Sequence, residues 1–301
     1  MRPEDIVGIP ADAEGVARAL ERHRNYRVLR RIEPMVRRER PFTRTAACTV
    51  AVVDVETTGL DWKRDKVIEL GVQIVEVDHH GRIVATGRPQ GWFEDPGIPI
   101  PAEITKVTKI SDDMVRGNVI ADGPAFCLLS GADYVLSHHA AFDRPFVEKR
   151  LSLPPKKWVC SLMDIDWQAQ GFRGRKLEDL LLQCRWFFDG AHRAVNDVNA
   201  LLHLLDHQLD DGRTVLKELL TNAARPTWLI EARGAPYESR TALRDRKYVW
   251  DPGRKFWWTH VPDERVLSEQ HWLAENVYRG GPGPTVSEIT WTERYAARSD
   301  D

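Results

Sequence analysis

Asp54 and Glu56 stand two residues apart at the end of a short apolar run, Thr49-Val50-Ala51-Val52-Val53, rich in β-branched residues. Such a run predicts a central strand buried on both faces. Strand side chains alternate, so both carboxylates project from one side at the end of the sheet. Two negative charges side by side are costly unless a cation lies between them. Hard oxygen ligands at this spacing suit Mg²⁺ or Mn²⁺. Asp-x-Glu by itself fits an acidic strand-end turn equally well, so the rest of the chain must decide. Asp143 and Asp197 each fall near the start of an expected helix, beside apolar residues that would pack on the sheet, and His192 lies in the turn before the second helix. Were His192 and Asp197 both helical, five steps of about 100° would set them roughly 140° apart. His192 is therefore expected in the loop, free to swing toward the carboxylates, with Asp197 fixed by the helix.

The elements that must position these side chains follow from periodicity. Val67 to Val77 reads as a second strand, Asp78-His79-His80-Gly81 as a hairpin turn and Arg82 to Phe93 as the returning strand. Pro99 to Val115 reads as loop and short helices, with a helix start at Ser111-Asp112-Asp113. Ala132 to Ser137 is a further buried strand, followed by a helix to about Arg150, a short strand at Trp158 to Cys160, a helix at Leu177 to Gln183 and a longer one at Ala194 to Leu209. A strand meander followed by alternating strands and helices implies a mixed α/β sheet covered on both sides. Gln183 to Phe188 reads as buried core rather than as a docking peptide for a sliding clamp. His203 and His207, at i,i+4 spacing, read as helix surface.

With 42% hydrophobic and 29% charged residues over 301 positions, the chain has the makeup of a globular protein with one sizeable core and a smaller module. No apolar run approaches the roughly 20 residues of a membrane helix, and Met1 to Asp5 opens no signal peptide, so a cytoplasmic protein without membrane contact is expected. Cys48, Cys127, Cys160 and Cys184 form no Cys-x-x-Cys pair, which argues for reduced thiols. A net charge of -2 leaves any nucleic-acid contact to local patches. One such patch is residues 22–40, with eight arginines against two glutamates and Val28, Leu29, Ile32 and Val36 at helical spacing, although Pro34 should end or kink such a helix. That basic arm is expected to dock its apolar side on the main domain, with phosphate contact as the alternative.

Asp54, Glu56, Asp143, His192 and Asp197 occur in order within Asp54-Val55-Glu56-Thr57-Thr58-Gly59-Leu60, His138-His139-Ala140-Ala141-Phe142-Asp143 and His192-Arg193-Ala194-Val195-Asn196-Asp197, with Ile104 to Met114 between. Together these resemble the DEDDh (DnaQ-like) 3′-to-5′ exonuclease family, which includes the proofreading epsilon subunit of bacterial DNA polymerase III. The resemblance implies a ribonuclease H-like sheet over residues 48–209 and two Mg²⁺ or Mn²⁺ ions. Asp54, Glu56 and Asp197 would bind metal directly, Asp54 bridging the two ions, and Asp143 would support the site. His192 would take the proton of the attacking water, with release of nucleoside 5′-monophosphates. It also implies that Thr57, Gly59 and Leu60 hold the 3′-terminal nucleotide, Leu60 against its base, and that His138, His139 and Phe142 contact substrate. His139 departs from the asparagine that many relatives carry there. The implied substrate is a single-stranded DNA 3′ end in repair or proofreading, with a polymerase or helicase as partner. RNA is the near alternative, and a non-catalytic nucleic-acid-binding protein the more distant one.

The remainder of the chain has a different character. Asp210-Asp211-Gly212 and Ala224-Arg225-Pro226 bracket one helix, so the expected organisation is a basic arm at 1–47, the exonuclease domain at 48–209, a linker with a helix at 210–226 and a Trp-rich accessory module at 227–301. Six of eleven tryptophans follow Pro226, and Tyr248 to Trp258 reads as a hairpin turning at Asp251 to Arg254. Seven basic residues against three acidic ones between Arg233 and Lys255 allow contact with a phosphate backbone, while most of the tryptophans are expected to build core.

Overall fold

The computed structural model describes residues 12–36 and 46–297. It begins with α1 (Ala13–Glu21) and continues into β1 (Arg30–Arg31). No helix forms over Val28 to Val36, contrary to the helical spacing of its apolar residues. The segment is extended, with the Arg30 amide donating to Arg185 O and the Ile32 amide to Phe187 O, each at 2.9 Å. Ile32 and Met35 are buried while Leu29 and Val36 are exposed, so the arm docks through these two residues rather than through a helical stripe, satisfying its backbone against another strand. Arg37, Arg38 and Arg40, and the stretch to residue 45 within the expected arm, lie outside the described residues.

The central strand β2 (Cys48–Thr57) pairs antiparallel with β3 (Val67–Val77) along its whole length. The single returning strand expected over 82–93 is two, β4 (Ile83–Thr86) and β5 (Gln90–Phe93), both antiparallel to β3. The break falls at Gly87-Arg88-Pro89, where proline offers no amide to a ladder. Three helices follow, α2 (Ala102–Thr108), α3 (Asp112–Val115) and the unanticipated α4 (Asp122–Gly131). Then come β6 (Tyr134–Ser137), α5 (Ala140–Leu151), β7 (Lys157–Cys160), α6 (Leu177–Gln183), β8 (Trp186–Phe187) and α7 (Ala194–Asp206). β6 runs parallel to β2 and β7 parallel to β6, giving the order β4-β3-β2-β6-β7 in a mixed sheet, while β8 pairs with β1.

Alternation along β2 feeds two cores. Val50 and Val52 pack with Val198, Leu201 and Leu205 of α7 and with Leu180 and Leu181 of α6. Ala51, Val53 and Val55 pack with Phe146 and Val147 of α5 and Leu129 of α4. Trp186 and Phe188 lie against the first of these cores, in keeping with the core reading of that segment.

Beyond α8 (Val215–Ala223), β9 (Thr227–Ala232), α9 (Arg240–Asp245), β10 (Val249–Asp251), β11 (Phe256–Pro262), α10 (Val266–Leu273) and β12 (Thr285–Ile289) form a second, antiparallel sheet of order β10-β11-β9-β12 with helices on one face. The β10–β11 turn is held by Asp251, whose carboxylate accepts from the Gly253 and Arg254 amides. Ile230, Ala232 and Val261 meet Leu243, Val266 and Leu273 in a third core, flanked by Trp228, Trp257 and Trp272.

After β12 the chain returns to the first sheet. Trp291 stacks on Tyr134 with ring centroids 5.0 Å apart and donates to Trp158 O at 3.0 Å. Arg294 pairs with Asp164 at 3.1 Å, and Arg144 donates to the carbonyls of Thr292 and Arg294. Among the described residues no helix is long and apolar enough to cross a membrane. All four cysteines are free thiols, Cys160 and Cys184 buried and Cys127 exposed.

Candidate active site

Strand geometry sets the first two carboxylates. Asp54 and Glu56 leave β2 on the α7 side of the sheet, at the end where β2 passes into the turn. Register places Gly71 opposite Asp54 and Glu69 opposite Glu56. Gly71 lets the N-terminus of α7 rest on the sheet: a Cβ there would lie 2.6 Å from the carbonyl carbon and oxygen of Ala194. Its neighbour across the β3–β5 ladder is Gly91, where a Cβ would lie 2.4 Å from a Val195 methyl. This pair of glycines seats the first turn of α7, which carries Asp197.

His192 sits in the loop ahead of that helix, exposed and with a left-handed backbone (φ 63°). Its loop position is the one that the 140° mismatch required, and its amide donates to Asp197 Oδ2 at 2.9 Å, joining loop and helix at the carboxylate. Next in sequence, Arg193 reaches Glu69 with two bonds of 3.0 Å, and Glu69 also accepts from the Ala194 amide at 3.0 Å. Glu69 and Arg193 were not singled out from the sequence. The available signal was an acidic residue inside the apolar strand Val67–Val77, with no local indication of its partner.

Asp143 enters from the opposite face of the sheet, in the first turn of α5, buried and accepting from the Val55 amide at 3.3 Å. Electrostatics show how closely the carboxylates converge. Burial, and then Asp143, Asp197, Glu56 and Glu69 in turn, hold the Asp54 carboxyl well above its ordinary value. Glu56 is pushed up to about 8 by burial and by Asp197, Glu69 and Asp143, against a smaller opposite pull from Arg193. Burial lifts Asp143 and Asp197 to about 7, in each case against hydrogen bonds that favour the anion.

So many buried acids with one arginine, itself paired to Glu69, form a site short of positive charge. Hard divalent cations suit such an oxygen-rich donor set. Among the described residues, the group that presents ligand atoms all within 4.8 Å of one another is Glu56, His192 and Asp197. The imidazole, expected only as a proton acceptor, thus lies at ligand distance from two of the expected metal-binding carboxylates.

The expected substrate-side residues divide into two sets. Thr57 is buried with its hydroxyl on Gly59 O at 2.5 Å, and Asp65 braces the turn through the Thr58 hydroxyl and the Asp61 amide. Leu60 projects from this turn with 83% of its surface exposed. His139, also exposed, stacks near Phe142 at 6.0 Å between ring centroids. His138 is different. Its Nε2 donates to Arg175 O at 2.9 Å and its Nδ1 faces the Ser161 hydroxyl at 2.7 Å. Burial lowers it to about 4, so it is a neutral ring with both nitrogens engaged inside the protein rather than a ready substrate contact. His203 is tied to Glu33 O at 2.8 Å and His207 lies edge-on to Phe172, away from the carboxylates.

A family model described as an RNase T-type exonuclease matches residues 51–205. The chain is 30% identical over 186 residues to the PolC-type DNA polymerase III of Clostridium perfringens, covering 57% of this chain and 12% of that protein. It is 29% identical over 188 residues to the DNA polymerase III subunit epsilon of Treponema pallidum, covering 58% of this chain and 82% of that one. The chain therefore spans about 12% of the length of the PolC-type relatives. Among solved structures, exonuclease X in complex with 5′-overhanging duplex DNA aligns at 18% identity and a TM-score of 0.42, over 57% of this chain and 99% of that one. Exonuclease I aligns at 16% identity and a TM-score of 0.45, over 61% and 48%.

Proposed function

Because the chain belongs to the RNase T-type exonuclease family, whose match spans more than half of it, we propose that it removes nucleotides from the 3′ end of DNA, in proofreading or repair, as a metal-dependent hydrolase releasing nucleoside 5′-monophosphates. The observation that carries this reading is the meeting of Asp54, Glu56, Asp143 and Asp197, from two strand positions and two helices, where burial raises all four pKa values and the neighbouring acids raise Asp54 and Glu56 further. These four carboxylates would hold Mg²⁺ or Mn²⁺. Bound there, such ions would supply Lewis-acid stabilisation of charge on the attacking and leaving oxygens of the phosphodiester.

The protein's own groups do the rest. A ring nitrogen of His192 takes the proton of the attacking water, which the exposed loop position and the anchored Asp197 contact support. Leu60, presented by the braced Thr57–Asp65 turn, packs on the terminal base, with Thr57 and Gly59 beneath it. Phe142 and His139 flank the same opening, and His138 acts by holding the Arg175 backbone. The polymerase III relatives support DNA as substrate and a replicative polymerase as partner.

The test is degradation of 5′-labelled single-stranded DNA and RNA with Mg²⁺, with Mn²⁺ and with chelator. A ladder shortening from the 3′ end of DNA, dependent on metal and lost in Asp54→Ala, is expected. Internal cleavage, or full activity in Asp54→Ala, would reject the proposal, and faster loss of RNA would reassign the substrate.

A further inference from the structure

A cleft of about 1080 Å³ lies between the first sheet and the second. One wall is the loop joining β7 to α6, with Met163, Arg173 and Arg175; the other is the end of β11, with His260; Arg225, just ahead of β9, also lines it.

The cleft adjoins the turn that leads into the carboxylate site at Asp143. The loop is fastened beside it by the His138–Arg175 bond, and Glu178, in the first turn of α6, is near enough to Asp197 to raise its pKa. The charge of the cleft suits phosphate. Of the carboxylates lining it, Asp164 is bound to Arg294 and Tyr295, and Glu218 to Arg213. Three exposed arginines, Arg173, Arg175 and Arg225, remain against Asp166 and Glu264.

The far end of the cleft reaches His260, on the face of the second sheet turned away from the third core. Ile230 and Val261 point into the third core, so their strand neighbours Leu229 and His260 point the other way, together with Trp258. The Trp258 and His260 rings lie 5.1 Å apart on that face. Aromatic side chains beside a basic track are how single strands are held without sequence preference, because every base has a face to stack.

We propose that single-stranded DNA on the 5′ side of the nucleotide in the carboxylate site runs through this cleft. Its phosphates pass Arg173, Arg175 and Arg225, and its unpaired bases reach Trp258 and His260. This extends the exonuclease activity proposed above and rests on it for the position of the 3′ end.

The experiment uses the full chain with Mg²⁺ and two 5′-labelled substrates, a trinucleotide that ends before the cleft and a single strand of about 20 nucleotides that fills it. The wild-type KM should be at least about tenfold lower for the long strand. In the Arg173→Ala/Arg225→Ala variant, both positions being exposed, that gap should close about tenfold, and the slope of log KM against log salt for the long strand should flatten by roughly one to two. Equal wild-type KM values, or a variant that keeps the wild-type gap and slope, would overturn the cleft while leaving the active site standing. Should neither substrate be cut, the active-site reading fails, and anisotropy of the labelled long strand with wild type and variant decides the cleft alone: equal affinities would reject it.

Discussion

Gly71 lies directly across the β2–β3 ladder from Asp54 and carries the Ala194 backbone on the face from which Asp54 projects. A single position without a side chain thus sets the spacing between the strand that bears one carboxylate and the helix that bears another. Gly71→Ala would put a methyl 2.6 Å from backbone atoms, which cannot rotate away. Thermal unfolding should show a loss of about 1–3 kcal/mol, the usual cost of overpacking. Metal-dependent turnover should fall further than stability explains, because Asp197 moves with α7. A variant with wild-type melting and wild-type turnover would show that α7 has room to spare.

The acidic cluster makes stability depend on pH and metal together. Carboxyl groups titrate near 4 when unfolded, whereas Asp143 and Asp197 stand at about 7 and Glu56 at about 8 when folded. A group with a raised folded-state pKa contributes stability that is whole below its unfolded value and is lost as pH rises through its folded value. In chelator, the melting temperature should therefore fall between pH 5 and pH 8. Mg²⁺ should restore it at pH 8, by about 5 °C or more, and change it little at pH 5. Asp54→Asn, with one potential charge fewer, should melt higher than wild type in chelator at pH 8. Melting curves that rise with pH and ignore Mg²⁺ would refute the clustered arrangement.

His192 has a backbone role, through its amide on Asp197, and a ring role at the mouth of the site. His192→Ala keeps the amide and removes the ring. Turnover should drop about 10²- to 10⁴-fold, the usual worth of a positioned general base. The Mg²⁺ concentration for half-maximal rate should stay within about threefold of wild type, because the carboxylates remain. A large shift in that concentration would instead make the ring a metal ligand, as its distance from Glu56 and Asp197 allows.

Arg294 ties the C-terminal segment to the first sheet. Its guanidinium meets Asp164 at 3.1 Å, with both side chains almost fully buried, and also bonds Arg225 O and the Thr227 hydroxyl. Burial already raises the Asp164 pKa against the pull of Tyr295 and Arg294. Removing one partner of a buried pair leaves the other charge stranded, so Arg294→Ala should cost about 3–5 kcal/mol in denaturant unfolding. Adding Asp164→Asn should recover part of that loss. If the double variant is no more stable than the single one, the stranded charge is not the cause.

The linear chain specified the local units well, because strand and helix periods repeat over a few residues. The apolar run ending at Asp54 and Glu56, the stripe of α7 and the loop position of His192 were all readable from spacing. The four carboxylates could be named among 45 acidic residues because their ordered motifs resemble a known exonuclease family. What folding decided was neighbourhood. Helical spacing misled over Val28 to Val36, since a short segment can satisfy its backbone against Arg185 and Phe187 instead of within itself. Pro89 broke a strand whose apolar content looked continuous. Glu69 became part of the site only through register, which set it opposite Glu56 and within reach of Arg193, 124 positions further along. The return of Trp291 and Arg294 to the first sheet joins residues more than 120 positions apart. A sequence records what each side chain can do, but contacts of that range exist only after loops have closed and cores have packed.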